Sequence, residues 1–205
     1  MAIKFFITLI VFSLFYGLLE IIKRKTHLRA FYTRKIAHIG SAFFVIGFYF
    51  WLSQAAFLIA CSAFTLFFIF SYQKKILRSI HIDDFKSWGE IFYPIALIIL
   101  GIWFYSEQFV FIASVAIMGL ADAISGLYNY RNKKAGLTGS LIFLAVTIFI
   151  IFISHFWLKG NISYETMLTG VIIAITVSII EYYSNYGTDN LTVPLATAIL
   201  LSRFF

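Results

Sequence analysis

Residues 119–140 read GLADAISGLYNYRNKKAGLTGS. The stretch starts inside an apolar run, sets Asp122 among Gly119, Ala121, Ala123, Ser125 and Gly126, and ends in a basic loop with Lys133, Lys134 and Gly136. A carboxylate in a helix at membrane depth is costly enough to imply function, and the small residues around it let a ligand or a second helix approach the backbone closely. The fold therefore turns on whether this helix lies in a bilayer.

Composition answers that question. The chain of 205 residues is 61% hydrophobic, 20% aromatic and only 12% charged, with a mean hydropathy of +0.92. Soluble domains do not look like this. At about 20 residues per crossing, the length suits seven or eight spans joined by short loops. The expected fold is an all-α polytopic membrane helix bundle, with 1–205 forming a single domain. The sole cysteine, Cys61, lies in an apolar run and cannot form an intrachain disulfide, so it reads as a small core or lipid-facing residue. Lys4 precedes an apolar run with no small-residue cleavage site before Glu20, which predicts a retained first helix and not a signal peptide. The net charge of +7 sits between spans, so anionic lipid head groups and a phosphorylated substrate account for it better than nucleic acid.

Working outward from Asp122, the fifth span covers about 109–128 and carries the acid roughly 9 Å from its end, at about 1.5 Å per residue. Before it come spans at about 3–22 and 36–51, a third that follows a tight turn at Ser53 and Gln54 and ends near Tyr72, and a fourth at about 91–105, with Pro94 expected in a first helical turn. After it come 140–158, 167–183 and a short stretch at 191–201 that Pro194 interrupts near its start. Residues 74–88 are too polar to cross and read as an amphipathic element on the inner surface. Of the 16 Lys and Arg, all but Lys4, Lys159 and Arg203 fall in three proposed inner loops. That bias places those loops in the cytoplasm and the N-terminus outside.

This layout gathers the unusual polar residues at the cytoplasmic face. Arg34, Lys35 and His38 open the second span and Glu90 the fourth; Asp122 closes the fifth and Glu181 the seventh, followed by Asp189 and Asn190. Carboxylates and an asparagine supply hard oxygen ligands for Mg²⁺, while Lys and Arg suit phosphate oxygens, the combination phosphoryl transfer needs. Each residue also has a structural reading. Arg34 and Lys35 suit snorkelling, Glu90 suits a helix N-terminus, Glu181 suits pairing with a loop lysine, and Asp189-Asn190 suits a helix cap. His38 lies one turn beyond Arg34 on the same face. His27, His81 and His155 lack metal-ligand spacing, and no P-loop, GxSxG or GxGxxG occurs.

Four motifs in order carry a family resemblance: Arg34-Lys35-x-x-His38; Gly89-Glu90-x-x-Tyr93-Pro94; Ala121-Asp122 with the basic loop to Gly139-Ser140; and Glu181 with Asp189-Asn190-Leu191-Thr192-Val193-Pro194. Together they resemble the membrane-integral polyprenol kinase family, which includes dolichol kinases, phytol kinases and CTP-dependent diacylglycerol kinases. The resemblance implies transfer of the γ-phosphoryl group of a nucleoside triphosphate, often CTP, to the hydroxyl of a membrane lipid alcohol. It implies that Asp122 is the motif's aspartate, that Lys133 or Lys134 binds nucleotide phosphate, and that Gly139-Ser140 closes the loop. Asn129 stands where relatives commonly carry glycine, and Thr138 where an acid often precedes Gly-Ser.

On this reading Asp122 and Asp189, with Asn190 and Glu181, hold Mg²⁺. Arg34, Lys35, Lys133 and Lys134 balance the triphosphate, and an acid or His38 takes the alcohol's proton. Two alternatives stand beside it. A cytidylyltransferase making a CDP-lipid would use the same chemistry, and a small transporter or flippase would spread its polar residues through the bilayer.

Overall fold

In a computed structural model the described residues are 2–81, 87–132 and 137–205. They form eight helices and no strand. We label these α1 (Ala2–Lys25), α2 (Ala30–Trp51), α3 (Gln54–Lys74), α4 (Gly89–Trp103), α5 (108–132), α6 (Leu137–Lys159), α7 (Tyr164–Tyr183) and α8 (Asp189–Phe204). Helix α5 is continuous through a π-helical turn at Ile117–Ala121. Two of the helices have serine caps: Ser53 accepts from the Ala56 N–H ahead of α3, and Ser163 from the Thr166 N–H ahead of α7.

The expected all-α architecture is present, and the apolar helices mark a multi-pass membrane protein. Five helices, α1, α3, α5, α6 and α7, are long and apolar enough to cross a membrane, against the seven or eight spans expected. The other three fall short for identifiable reasons. Helix α2 opens with Arg34, Lys35 and His38 inside its first turns, and α4 and α8 have only 15 and 16 residues.

Burial ranks the helices. The apolar window of α5 is 72% buried, whereas those of α1, α6 and α7 are each 28% buried. Helix α5 is thus the central post, packed against α2, α4, α6 and α8. Its residues Phe111, Ala113, Val115 and Ile117 lie in the main apolar core with Leu100, Phe143, Ile151, Val177 and Leu201. Helix α1 leans on α2 and α3 through a second, aromatic cluster of Phe12, Tyr16 and Phe68. Its opposite stripe, Ile3, Ile7, Ile10, Leu14, Leu18 and Ile21, is exposed at helical spacing, as a lipid-facing surface should be.

Three local expectations change. Helix α5 runs to Asn132 and not to about 128, so Asp122 lies about 15 Å from its end. Pro94 and Pro194 both lie inside their helices, beyond the first turn, and neither helix breaks. Packing of α4 against α8 and of both on α5 holds them where propensity alone would not. In the segment proposed as an amphipathic surface element, residues 75–81 form turns. Lys75 takes a left-handed conformation, and Leu77 and Ile80 are buried in the aromatic cluster. Residues 82–86 of that segment lie outside the described residues.

Candidate active site

Asp122 sits immediately after the π-helical turn of α5 and is 8% exposed. Such turns insert an extra residue into a helix and recur at functional sites. The close packing of α5 on α2 comes from glycine. A Cβ on Gly119 would meet the Ala42 side chain and lie 3.1 Å from the His38 carbonyl oxygen, and one on Gly126 would lie 2.5 Å from Lys35 Cε. The small residues around Asp122 are therefore the surface against which α2 packs.

That packing delivers Lys35 and His38 to the carboxylate. The Lys35 ammonium donates to both Asp122 carboxylate oxygens at 2.9 Å, and to the Asp122 backbone carbonyl at 3.1 Å. His38 Nδ1 lies 3.5 Å from Asp122 Oδ2 without a hydrogen bond. Removing one partner of a buried ion pair strands the other and costs about 3–5 kcal/mol in soluble proteins. At the ends of the two helices, Arg29 donates to the Tyr130 hydroxyl at 2.7 Å, and Tyr130 stacks on Phe31 with centroids 4.0 Å apart. This clamp holds α2 and α5 in register beside the ion pair.

The other acids and amides approach from α4, α7 and α8. Asp122 acts electrostatically on both Glu181 and Asp189, and Lys35 opposes it at both sites. Arg34 donates to Ser87 Oγ at 2.8 Å; its guanidinium and the Asn190 amide both press against Gly89. The Trp88 N–H donates to the Tyr186 carbonyl at 2.9 Å, tying the start of α4 to the turn before α8. Glu90 Oε1 lies 3.4 Å from His81 Nδ1. Gly139 and Ser140 open α6, where Gly139 lies against the Asn129 side chain of α5. Lys133 and Lys134 lie outside the described residues.

Polar atoms without partners concentrate here. Among the described residues nine buried side-chain oxygens or nitrogens lack a hydrogen bond, and five of them are His38 Nδ1, Tyr93 OH, Asn129 Oδ1, Glu181 Oε2 and Asn190 Oδ1. Burying such groups unpaired costs stability, so their grouping points to a ligand that pairs them. Among the described residues no three His, Cys, Asp or Glu side chains converge as a metal centre.

Sequence reasoning missed three features. The π-helical turn carries no signal beyond Gly119. Ser41 lines the cleft beside His38 from one turn further along α2, a position helical spacing could have supplied. Each helix proline also follows a site residue by four positions, Glu90 before Pro94 and Asn190 before Pro194. A proline has no N–H to give, so it cannot donate the helical bond to the carbonyl four residues back.

A phytol kinase from Synechocystis sp. is 25% identical to this chain over 197 residues, covering 88% of this chain and 82% of that one. No family model matches the chain, and no solved structure matches it. The chain is thus similar, at a distance, to a phytol kinase, over nearly its whole length.

Proposed function

We propose that this chain is an integral-membrane kinase that transfers the γ-phosphoryl group of a nucleoside triphosphate, CTP favoured, to the hydroxyl of a lipid alcohol such as a polyprenol, dolichol, phytol or diacylglycerol. The observation that carries the reading is the Asp122 carboxylate held by Lys35 beside His38, inside the most buried of the five spanning helices. The likeness to a phytol kinase supports it from a separate direction. In this reading residues 1–205 act as one catalytic unit. Helices α2, α4 and α8 complete the crossings, the site faces the cytoplasm, and the N-terminus lies outside. The 13 basic residues of the inner loops support that orientation.

The donor set suits Mg²⁺. Glu181 Oε2 and Asn190 Oδ1 are buried oxygens in need of a partner, and Asp122 and Asp189 stand within electrostatic reach of one another. Mg²⁺ keeps several waters and takes one or two carboxylates plus substrate phosphates, so it does not require a closed cage of three protein acids. Asp122, Asp189, Glu181 and Asn190 would hold it, and when bound it neutralises charge on the phosphates. Arg34 and Lys35, with Lys133, Lys134, Gly139 and Ser140 from the loop and the start of α6, bind the triphosphate. The alcohol oxygen attacks the γ-phosphorus, the bond to the β-phosphate bridging oxygen breaks, and the nucleoside diphosphate leaves. His38 or one of the acids accepts the hydroxyl proton.

Asp122→Asn, purified and folded, should lose lipid phosphorylation by at least about 100-fold in kcat, the scale for removing a preorganised electrostatic group. Full activity in that variant would contradict the site assignment.

A further inference from the structure

Two cavities adjoin near His38. The first is a polar cleft lined by Arg34, His38, Ser41 and Glu90 together with Tyr16 and Tyr93, where Tyr16 and Ser41 share a hydrogen bond of 2.9 Å. The second lies between α1, α2, α3 and α4 and is lined by Phe12, Phe48, Phe57, Cys61, Phe64 and Leu97, among others. Thr8 also reaches it, but its hydroxyl is already bonded to the Lys4 carbonyl. Phe68 and Tyr93 line both cavities, so the polar cleft and the apolar pocket are neighbours that meet at these two rings.

Tyr93 is the link. Its ring meets His38 edge-on at 5.4 Å, and it interacts electrostatically with Tyr16 in the cleft and Cys61 in the apolar pocket. Its hydroxyl is buried and has no partner among the described residues. A hydroxyl in that position needs a hydrogen bond that the described protein residues do not supply. A ligand carrying its own hydroxyl at the boundary between a polar and an apolar chamber would supply one.

We propose that the apolar pocket holds the first segment of the acceptor alcohol's hydrocarbon tail, with the alcohol hydroxyl beside Tyr93 and His38 in the cleft and the tail running past Phe68 towards Phe12 and Phe64. The identity of the head group rests on the kinase reading; the tail site rests on the cavities. His38, which lines the cleft and lies 3.5 Å from Asp122, then borders both the hydroxyl and the phosphates. The pocket's volume is about 30 Å³, on the order of two water-sized groups, so the tail enters by displacing the aromatic side chains that line it. One chain demands less of that displacement than two, and single-chain alcohols are therefore accepted in preference to diacylglycerols.

The test uses a twenty-carbon isoprenoid alcohol with a diazirine in the half of its tail nearest the hydroxyl, photolysed with the purified protein in phospholipid bicelles. Adducts are mapped by mass spectrometry. They should fall on Phe12, Phe48, Cys61 or Phe64, and excess unmodified alcohol should suppress them about tenfold while excess diacylglycerol does not. In parallel, Cys61→Phe and Ala60→Phe, which fill the pocket, should lower the ratio of kcat/KM for the twenty-carbon over the five-carbon alcohol about tenfold. Adducts confined to the exposed stripe of α1, adducts that the alcohol does not suppress, or an unchanged ratio would overturn the tail site. Mapped, suppressible adducts with no phosphorylated alcohol formed would instead sustain the tail site and sink the kinase reading.

Discussion

At one end of the bundle Tyr49 and Tyr105 donate to each other's backbone carbonyls at 3.0 and 3.1 Å, Gln54 donates to the Gly101 carbonyl at 2.8 Å, and Ser202 donates to Glu107 at 3.0 Å. His155 lies there between Phe109 and Phe205, with ring centroids 5.3 Å from each. At the other end Lys35 binds Asp122, but Glu181, Asn190, Asn129, His38 and Tyr93 each bury an atom without a partner among the described residues. The first end, His155 Nδ1 apart, spends its polar groups on itself, which makes it a staple. The second withholds them, and that is what a binding site does before its ligand arrives.

The two buried histidines sharpen this contrast. His38 and His155 are 7% and 8% exposed, and each leaves Nδ1 without a hydrogen bond, yet their neighbours differ: an acid and a polar cleft for one, two phenyl rings for the other. His38→Ala should lower kcat about 100-fold or more with the melting temperature little changed, the range expected when a proton-transfer group is lost. His155→Ala should do the reverse, keeping kcat while lowering thermal stability. Equal effects of both on kcat in detergent-solubilised protein would erase the distinction.

Gly119→Val tests whether the site depends on the approach of α5 to α2. The added side chain would meet Ala42 and the His38 carbonyl and push Asp122 away from Lys35. Activity should fall about tenfold to 100-fold, since misplacement by about 1 Å can cost that much. The smallest effect belongs to the staple. Tyr49→Phe should cost about 1 kcal/mol by denaturation and leave turnover unchanged. A loss of turnover there would mean that the two ends are coupled.

Much of this was legible in the sequence, for physical reasons. Asp122 stood out because a bilayer penalises a lone acid, and its small neighbours stood out because they permit close approach. Of the two readings of those small residues, helix packing is the one the structure shows: Gly119 and Gly126 let α5 close on α2. The helices carrying Arg34, Lys35, His38, Glu90, Asp189 and Asn190 are the ones that fall short of a simple spanning helix, so the residues that reveal function blur the count of spans. The π-helical turn and the neighbouring cavities were not legible, since both depend on how side chains from distant segments meet. Helix ends shifted for the same reason: tertiary packing extends α5 to Asn132 and carries α4 and α8 through their prolines.

The central claim, phosphoryl transfer to a lipid alcohol at Asp122, is met most directly by following the label. Purified protein in bicelles with Mg²⁺ and a panel of polyprenols, phytol and diacylglycerol would be given CTP, ATP or GTP labelled at either the γ- or the α-phosphorus. A labelled lipid monophosphate from the γ-labelled nucleotide, none from the α-labelled one, and none with Asp122→Asn is the predicted result. Label entering the lipid from the α-phosphorus with release of pyrophosphate, or no labelled lipid from any alcohol and donor, would contradict it.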